Sequence, residues 1–162
     1  MGLAAGLVSG CLGGNAGPSD DPAFETGAAA YSFVTVGATN EVTITYTFRN
    51  TTTTLGAIQG CFGMVPFWTL EKLVNGSWQV AYPAPCTADP SSGVAVAPGG
   101  QYQGTILLLD AVDANGTPRI TLRPVAGTYR LKFGLFEGVS LVTGEGTRVT
   151  DGRTYSNTFT LE

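Results

Sequence analysis

The chain contains no histidine. That removes the side chain most used as a general base near neutral pH and as a transition-metal ligand, and it lowers the expectation of an enzyme. Charge is scarce too. Asp, Glu, Lys and Arg make up 12% of the residues, 8 basic against 12 acidic, for a net charge of −4. The basic residues are scattered, which argues against a footprint for nucleic acid or an anionic membrane. Residues 1 to 10 are apolar but too few to span a bilayer. No stretch repeats its apolar residues at helical period. No serine sits in a G-x-S-x-G elbow. The Gly-rich segments do not follow a strand and open a helix, as a phosphate cradle would. No motif asks for a cofactor.

What is present points to extended structure. Glycine accounts for 23 of 162 residues, threonine is abundant, and β-branched residues recur. That composition favours many short strands joined by tight turns. Residues 41 to 49 (EVTITYTFR) alternate most cleanly, with Val42, Ile44, Tyr46 and Phe48 on one face and Thr43, Thr45, Thr47 and Arg49 on the other. Period two over nine residues predicts a strand with one dry and one wet face, as in an antiparallel sheet. Further strands are expected at 28–36, 55–60, 93–97, 101–109, 119–122, 129–135 and 154–161, the last with Tyr155, Phe159 and Leu161 on one face. An all-β sandwich of about eight to ten short strands follows.

The segment from Cys61 to Cys86 organises this pattern. It holds both tryptophans, Trp68 and Trp78, in a hairpin turned at Asn75-Gly76. A two-residue loop would pair Leu73 with Trp78 and Glu71 with Val80, placing a carboxylate on an apolar face. A three-residue loop pairs Trp68 with Tyr82, Leu70 with Val80 and Lys72 with Trp78, and gathers the large side chains together. Burial of one face sets register, so the three-residue loop is expected. Cys61 and Cys86 can form a disulfide that clamps this hairpin or ties it to a neighbouring strand. Closing a loop of that size is worth roughly 3 kcal/mol in the chain-entropy model.

Cys11 is then left over. Leu7-Val8-Ser9-Gly10-Cys11 resembles the lipobox of bacterial lipoproteins. The resemblance implies a signal peptide ending at residue 10, a diacylglyceryl group on Cys11, and a membrane-anchored periplasmic or surface protein. Residues 11 to 22, rich in Gly, Ser, Pro and Asp, then read as a tether, and residues 23 to 162 as the folded domain.

Tyr129 opens a strand directly after a Pro and Gly corner, RPVAGTY. That placement resembles the tyrosine corner of Greek-key sandwiches. Together with the tryptophan hairpin, PGGQYQG at 98–104, GTYRLKF at 127–133 and YSNTF at 155–159, it is similar to bacterial immunoglobulin-like domains. The resemblance implies an antiparallel Greek-key sandwich in which the Tyr129 hydroxyl bonds to upstream backbone. The cysteine spacing departs from that of true immunoglobulin domains, because Cys61 and Cys86 are only 25 positions apart.

Asp110, Asp113 and Asn115 form a weak cation candidate. They lack the carboxylate spacing and the closing Glu of a calcium loop, so a solvated turn is the expectation. Residues 137 to 153 exceed ordinary loop length. They either pair weakly, 140–143 with 147–150, or carry function. The leading functional expectation is a non-catalytic envelope lipoprotein that binds a protein or acts as a structural module. One alternative is a filament subunit whose strand near 28–36 completes a neighbour's sheet. The other is an inhibitor or enzyme acting through 137–153.

Overall fold

The computed structural model describes residues 22–61, 65–83, 93–110 and 119–162. These fold into an all-β, sandwich-like body built of several mainly antiparallel sheets. The first sheet orders β1 (Phe24–Thr26), β4 (Thr39–Arg49) and β10 (Gln101–Leu109), with β3 (Val34–Val36) also on β4. The second runs β2 (Ala30–Tyr31), β14 (Phe159–Leu161), β11 (Gly127–Phe133), β7 (Trp68–Val74) and β8 (Ser77–Tyr82). The third joins β13 (Thr147–Arg148), β12 (Leu135–Glu137), β5 (Gly56–Cys61) and β6 (Val65–Pro66), with β9 (Gly93–Val96) on β5. Short pieces outnumber the expected strands because the chain breaks where the alternation does. The segment expected as one strand at 28–36 divides into β2, parallel to β14, and β3, antiparallel to β4.

The core draws on all three sheets, with Ile58, Val94, Val96 and Leu135 contributed by the third. Val42, Ile44, Tyr46 and Phe48 are buried as their alternation requires. They meet Leu70, Tyr129, Leu131, Phe133, Phe159 and Leu161 of the second sheet in one continuous cluster. Phe24 stacks on Phe133 at 4.0 Å between ring centres, and Tyr46 lies 4.8 Å from the same ring. Gly104 is required here: a Cβ at that position would come within 2.4 Å of the Tyr46 ring.

The hairpin departs from expectation. Val74 pairs with Ser77, Leu73 with Trp78 and Glu71 with Val80, so the loop has two residues. Asn75 and Gly76 both take positive φ, 50° and 79°. That is the pattern of a type I′ turn, whose twist matches the strands it joins. A bulge at Leu70/Glu71 then restores the phase and returns Tyr82 to a position opposite Leu70. The two tryptophans therefore lie on opposite faces. Trp68 faces inward beside Tyr82, at 5.1 Å, while Trp78 lies on the outer face. The physical reason is the partner of Glu71. Its carboxylate receives Arg130 Nε and Nη2 from β11, each at 2.7 Å. The charge that argued against the two-residue loop is thus neutralised by a residue far away in sequence. Lys72 does not lie over Trp78 either. Its ammonium donates to the Pro124 carbonyl and sits 5.5 Å from the Tyr129 ring.

Two more expectations change. Residues 140–143 do not pair with 147–150; β13 pairs instead with β12, Phe136 opposite Arg148. The closing segment does not run as one strand from 154. A short 3-10 turn at Gly152–Thr154 precedes Tyr155, which reaches the outer face, and only Phe159 and Leu161 continue into the core.

Candidate binding surfaces

Several sequence candidates fall outside the described residues: Cys11, Cys86, Asp113 and Asn115. The backbone of Cys61 ends β5 opposite Val65. The pairing of Cys61 with Cys86 lies outside the described residues. Asp110 is engaged otherwise, since Arg123 donates to its carboxylate at 2.6 Å and to its backbone carbonyl at 2.7 Å. Among the described residues, no three metal-ligating side chains converge. The Tyr129 hydroxyl donates to the Val125 carbonyl, four residues upstream. Burial pushes its pKa up to about 12. This is a clamp on the 123–129 corner, with no opening toward a ligand.

Sequence reasoning missed a cluster on the outer face of the second sheet. The Arg130 guanidinium lies between the rings of Trp78, 4.3 Å away, and Tyr155, 3.8 Å away. Its Nε and Nη2 meet Glu71. Both rings lie against the guanidinium, and its Nε–Nη2 edge is occupied by the carboxylate. Such an arginine is a brace that ties three strands, worth about 0.5–1 kcal/mol per ring contact at an exposed site. The outward phase of Arg130 in the alternation of β11 was the signal available for it.

The second surface is the hairpin made by β12 and β13. Its base is held by Arg153, which bonds Glu137 and also reaches Asp151 Oδ2 at 2.7 Å. Those hydrogen bonds from Arg153 hold the Asp151 carboxyl below its ordinary value. Arg153 is raised in turn, chiefly by the same hydrogen bond to Asp151. The tip is folded tightly on itself. Ser140 N donates to the Glu145 carbonyl and Gly144 N to the Ser140 carbonyl, each at 2.8 Å. The Ser140 hydroxyl accepts from Val142 N and Thr143 N. Val139 N fastens the tip to the Leu55 carbonyl at 3.1 Å. This knuckle holds two apolar side chains in water: Leu141 is 81% exposed and Val142 95%. Beside them an open cleft of about 200 Å³ is lined by Ala57, Gln59, Gly93, Ala95, Phe136 and Leu141, among others. A projecting apolar pair thus stands next to a cleft of mixed polar and apolar lining. Ser140 also lines the cleft, with its hydroxyl engaged by the amides of Val142 and Thr143.

No model of a known protein family matches the chain. No curated protein matches it either. Among solved structures, the chain is similar to Northeast Structural Genomics Consortium target SoR45, at 14% identity and a TM-score of 0.40, over 85% of this chain and 82% of that one. It is also similar to the Pseudomonas fluorescens alkylpurine DNA glycosylase AlkC bound to DNA containing an abasic site analog. That match has 9% identity and a TM-score of 0.31, and covers 88% of this chain but 31% of the glycosylase. Likeness at this level carries no functional argument.

Proposed function

We propose that the chain is a non-catalytic module of the cell envelope, anchored through Cys11, that binds a protein through the tip of the β12–β13 hairpin. In this reading the sandwich is immunoglobulin-like with Greek-key connections, and it serves as a rigid mount for the hairpin. The observation that carries the proposal is the exposure of Leu141 and Val142 on a knuckle fixed by its own hydrogen bonds. Burying two such side chains in a partner contributes about 3–5 kcal/mol before binding costs. Little ordering entropy opposes it, because the tip is already shaped. The same preformed loop also suits an inhibitor, which is one form of this contact. Donation of residues 28–36 to a neighbouring subunit is disfavoured, because Ala30–Tyr31 and Val34–Val36 pair within their own chain.

The test uses protein solubilised from the membranes of the source cells and run on a native gel, followed by intact mass. The wild type is expected to migrate in a complex with a different protein and to carry an acylated Cys11 as its first residue. A Leu141→Ser, Val142→Ser variant is expected to fold alike and to run alone. A wild-type chain that runs alone, or an unmodified chain that begins at Met1, would overturn the reading.

A further inference from the structure

An edge strand exposes a row of unpaired backbone groups, and proteins blunt such edges with lysine, proline, bulges or short length. The edges here can be compared on that basis. Strands β2, β6 and β13 have two residues each, and β13 carries Arg148. Strand β1 carries Glu25, whose carboxylate lies 3.8 Å from Arg49. Strand β8 is capped at Ala81, whose carbonyl accepts from both the amide and the hydroxyl of Thr121. Strand β10 is different. It has nine residues, Gln101–Leu109, with neither a charged side chain nor a proline. Among the described residues it pairs along its length with β4, and at its last residue, Leu109, it also bridges Arg119 in parallel.

The register identifies its unpaired groups. In an antiparallel ladder, alternate residues turn their amide and carbonyl toward the partner and the others turn them away. Asn50 N donates to the Gly100 carbonyl and Asp110 N to the Asn40 carbonyl, so the even-numbered residues bond across the β4–β10 ladder. The odd-numbered residues of β4 confirm this from the other side: Gly27 N donates to Thr45 O, and Arg49 N to Ala23 O. The backbone groups of Gln101, Gln103, Thr105 and Leu107 therefore point away from β4, to an edge that is open among the described residues. Their side chains stand on the outer face and are exposed. Beyond them Ile120 N caps the Leu109 carbonyl at 3.1 Å and closes that end of the edge.

From this geometry we propose that β10 pairs with β10 of a second copy, antiparallel about a two-fold axis at Gly104. That register places Gln101 opposite Leu107 and Gln103 opposite Thr105 of the partner copy. It is the register in which all four edge residues of each strand bond in full, and the cap at Leu109 blocks a shift toward the C-terminal end. A two-fold interface must be self-complementary. This one is: the free amides and carbonyls alternate, and no like charges meet. The result joins the first sheets of two molecules into one. The surface is separate from the β12–β13 hairpin, so this inference stands or falls independently of the proposed function.

The experiment is sedimentation equilibrium of the full chain carrying Cys11→Ser, so that neither acyl chains nor that thiol links copies. The average mass is expected to rise from 16.7 kDa toward twice that value with concentration. Thr105→Pro removes an outward amide and is compatible with an edge strand. It is expected to weaken association at least tenfold while the circular dichroism spectrum stays unchanged. Thr105→Lys, which cannot disturb the β4 ladder, is expected to do the same, and Thr105→Val to associate like the parent. Should the proline variant unfold, the lysine variant decides. A parent that stays monomeric at all concentrations, as it would if the edge served a peptide of another protein, overturns the proposal. So does a folded lysine variant that dimerises as tightly as the parent.

Discussion

Glu71→Gln is the substitution that tests the hairpin register most severely. Glu71 is 8% exposed, and Arg130 holds it through two donors at 2.7 Å. Removing one partner of a fully buried pair costs about 3–5 kcal/mol, because the other charge is left without compensation. Here the Arg130 side chain keeps 20% of its surface in water, which screens part of that penalty. About 2 kcal/mol is the resulting expectation. At about 2–4 °C per kcal/mol for a domain of this size, the melting temperature should fall by about 4–8 °C. A cycle combining Glu71→Gln with Arg130→Leu, followed by thermal and urea unfolding, should give a coupling of about 1–2 kcal/mol. Arg130→Leu alone should also change the Trp78 fluorescence, since the guanidinium lies over that ring. Additive losses, with coupling below about 0.5 kcal/mol, would refute the argument that this ion pair makes the two-residue loop tolerable.

Three further outcomes follow from single contacts. Gly76→Ala forces a Cβ onto a residue at φ 79° and should cost about 1 kcal/mol by urea titration, with no change in the core. Tyr129→Phe removes the hydroxyl that satisfies the Val125 carbonyl and should cost about 1–2 kcal/mol, measured by thermal unfolding at neutral pH. The Asp151 carboxyl is depressed by hydrogen bonds from Arg153, so its contribution is present above its ordinary value of 3.8 and is lost as pH falls through the lower folded value. The protection of the Arg153 and Thr154 amides, taken relative to the intrinsic exchange rate at each pH, should therefore fall on acidification through that window, and Asp151→Asn should abolish that pH dependence.

What could be read from sequence depended on how far each cause lay along the chain. The strand at 41–49 was legible because its alternation is local and unbroken, and the structure extends it back to Thr39. The Asn75-Gly76 turn was legible because two residues at positive φ suit Asn and Gly. The register beyond that turn was not. It is decided by Arg130, which meets Glu71 across 59 positions of chain, and by a bulge that leaves no mark on the alternation. The same distance hid the Trp78–Arg130–Tyr155 brace. The segment 137–153 stood out as too long for a plain turn. Which of its residues would stand in water depended on β13 pairing with β12, and short Thr-rich stretches do not specify that. The edge of β10 was visible only as an uncharged strand until its neighbours were known.

The central proposal is that this protein acts by contact through the apolar tip at Leu141 and Val142. The most direct test places a photo-reactive residue at position 142 and, as a control, at position 45 on the outer face of the first sheet, in protein made by the source cells. Illumination should give one discrete adduct to a different protein from position 142 and none from position 45. An empty lane at 142, or the same adducts from both positions, would contradict the account.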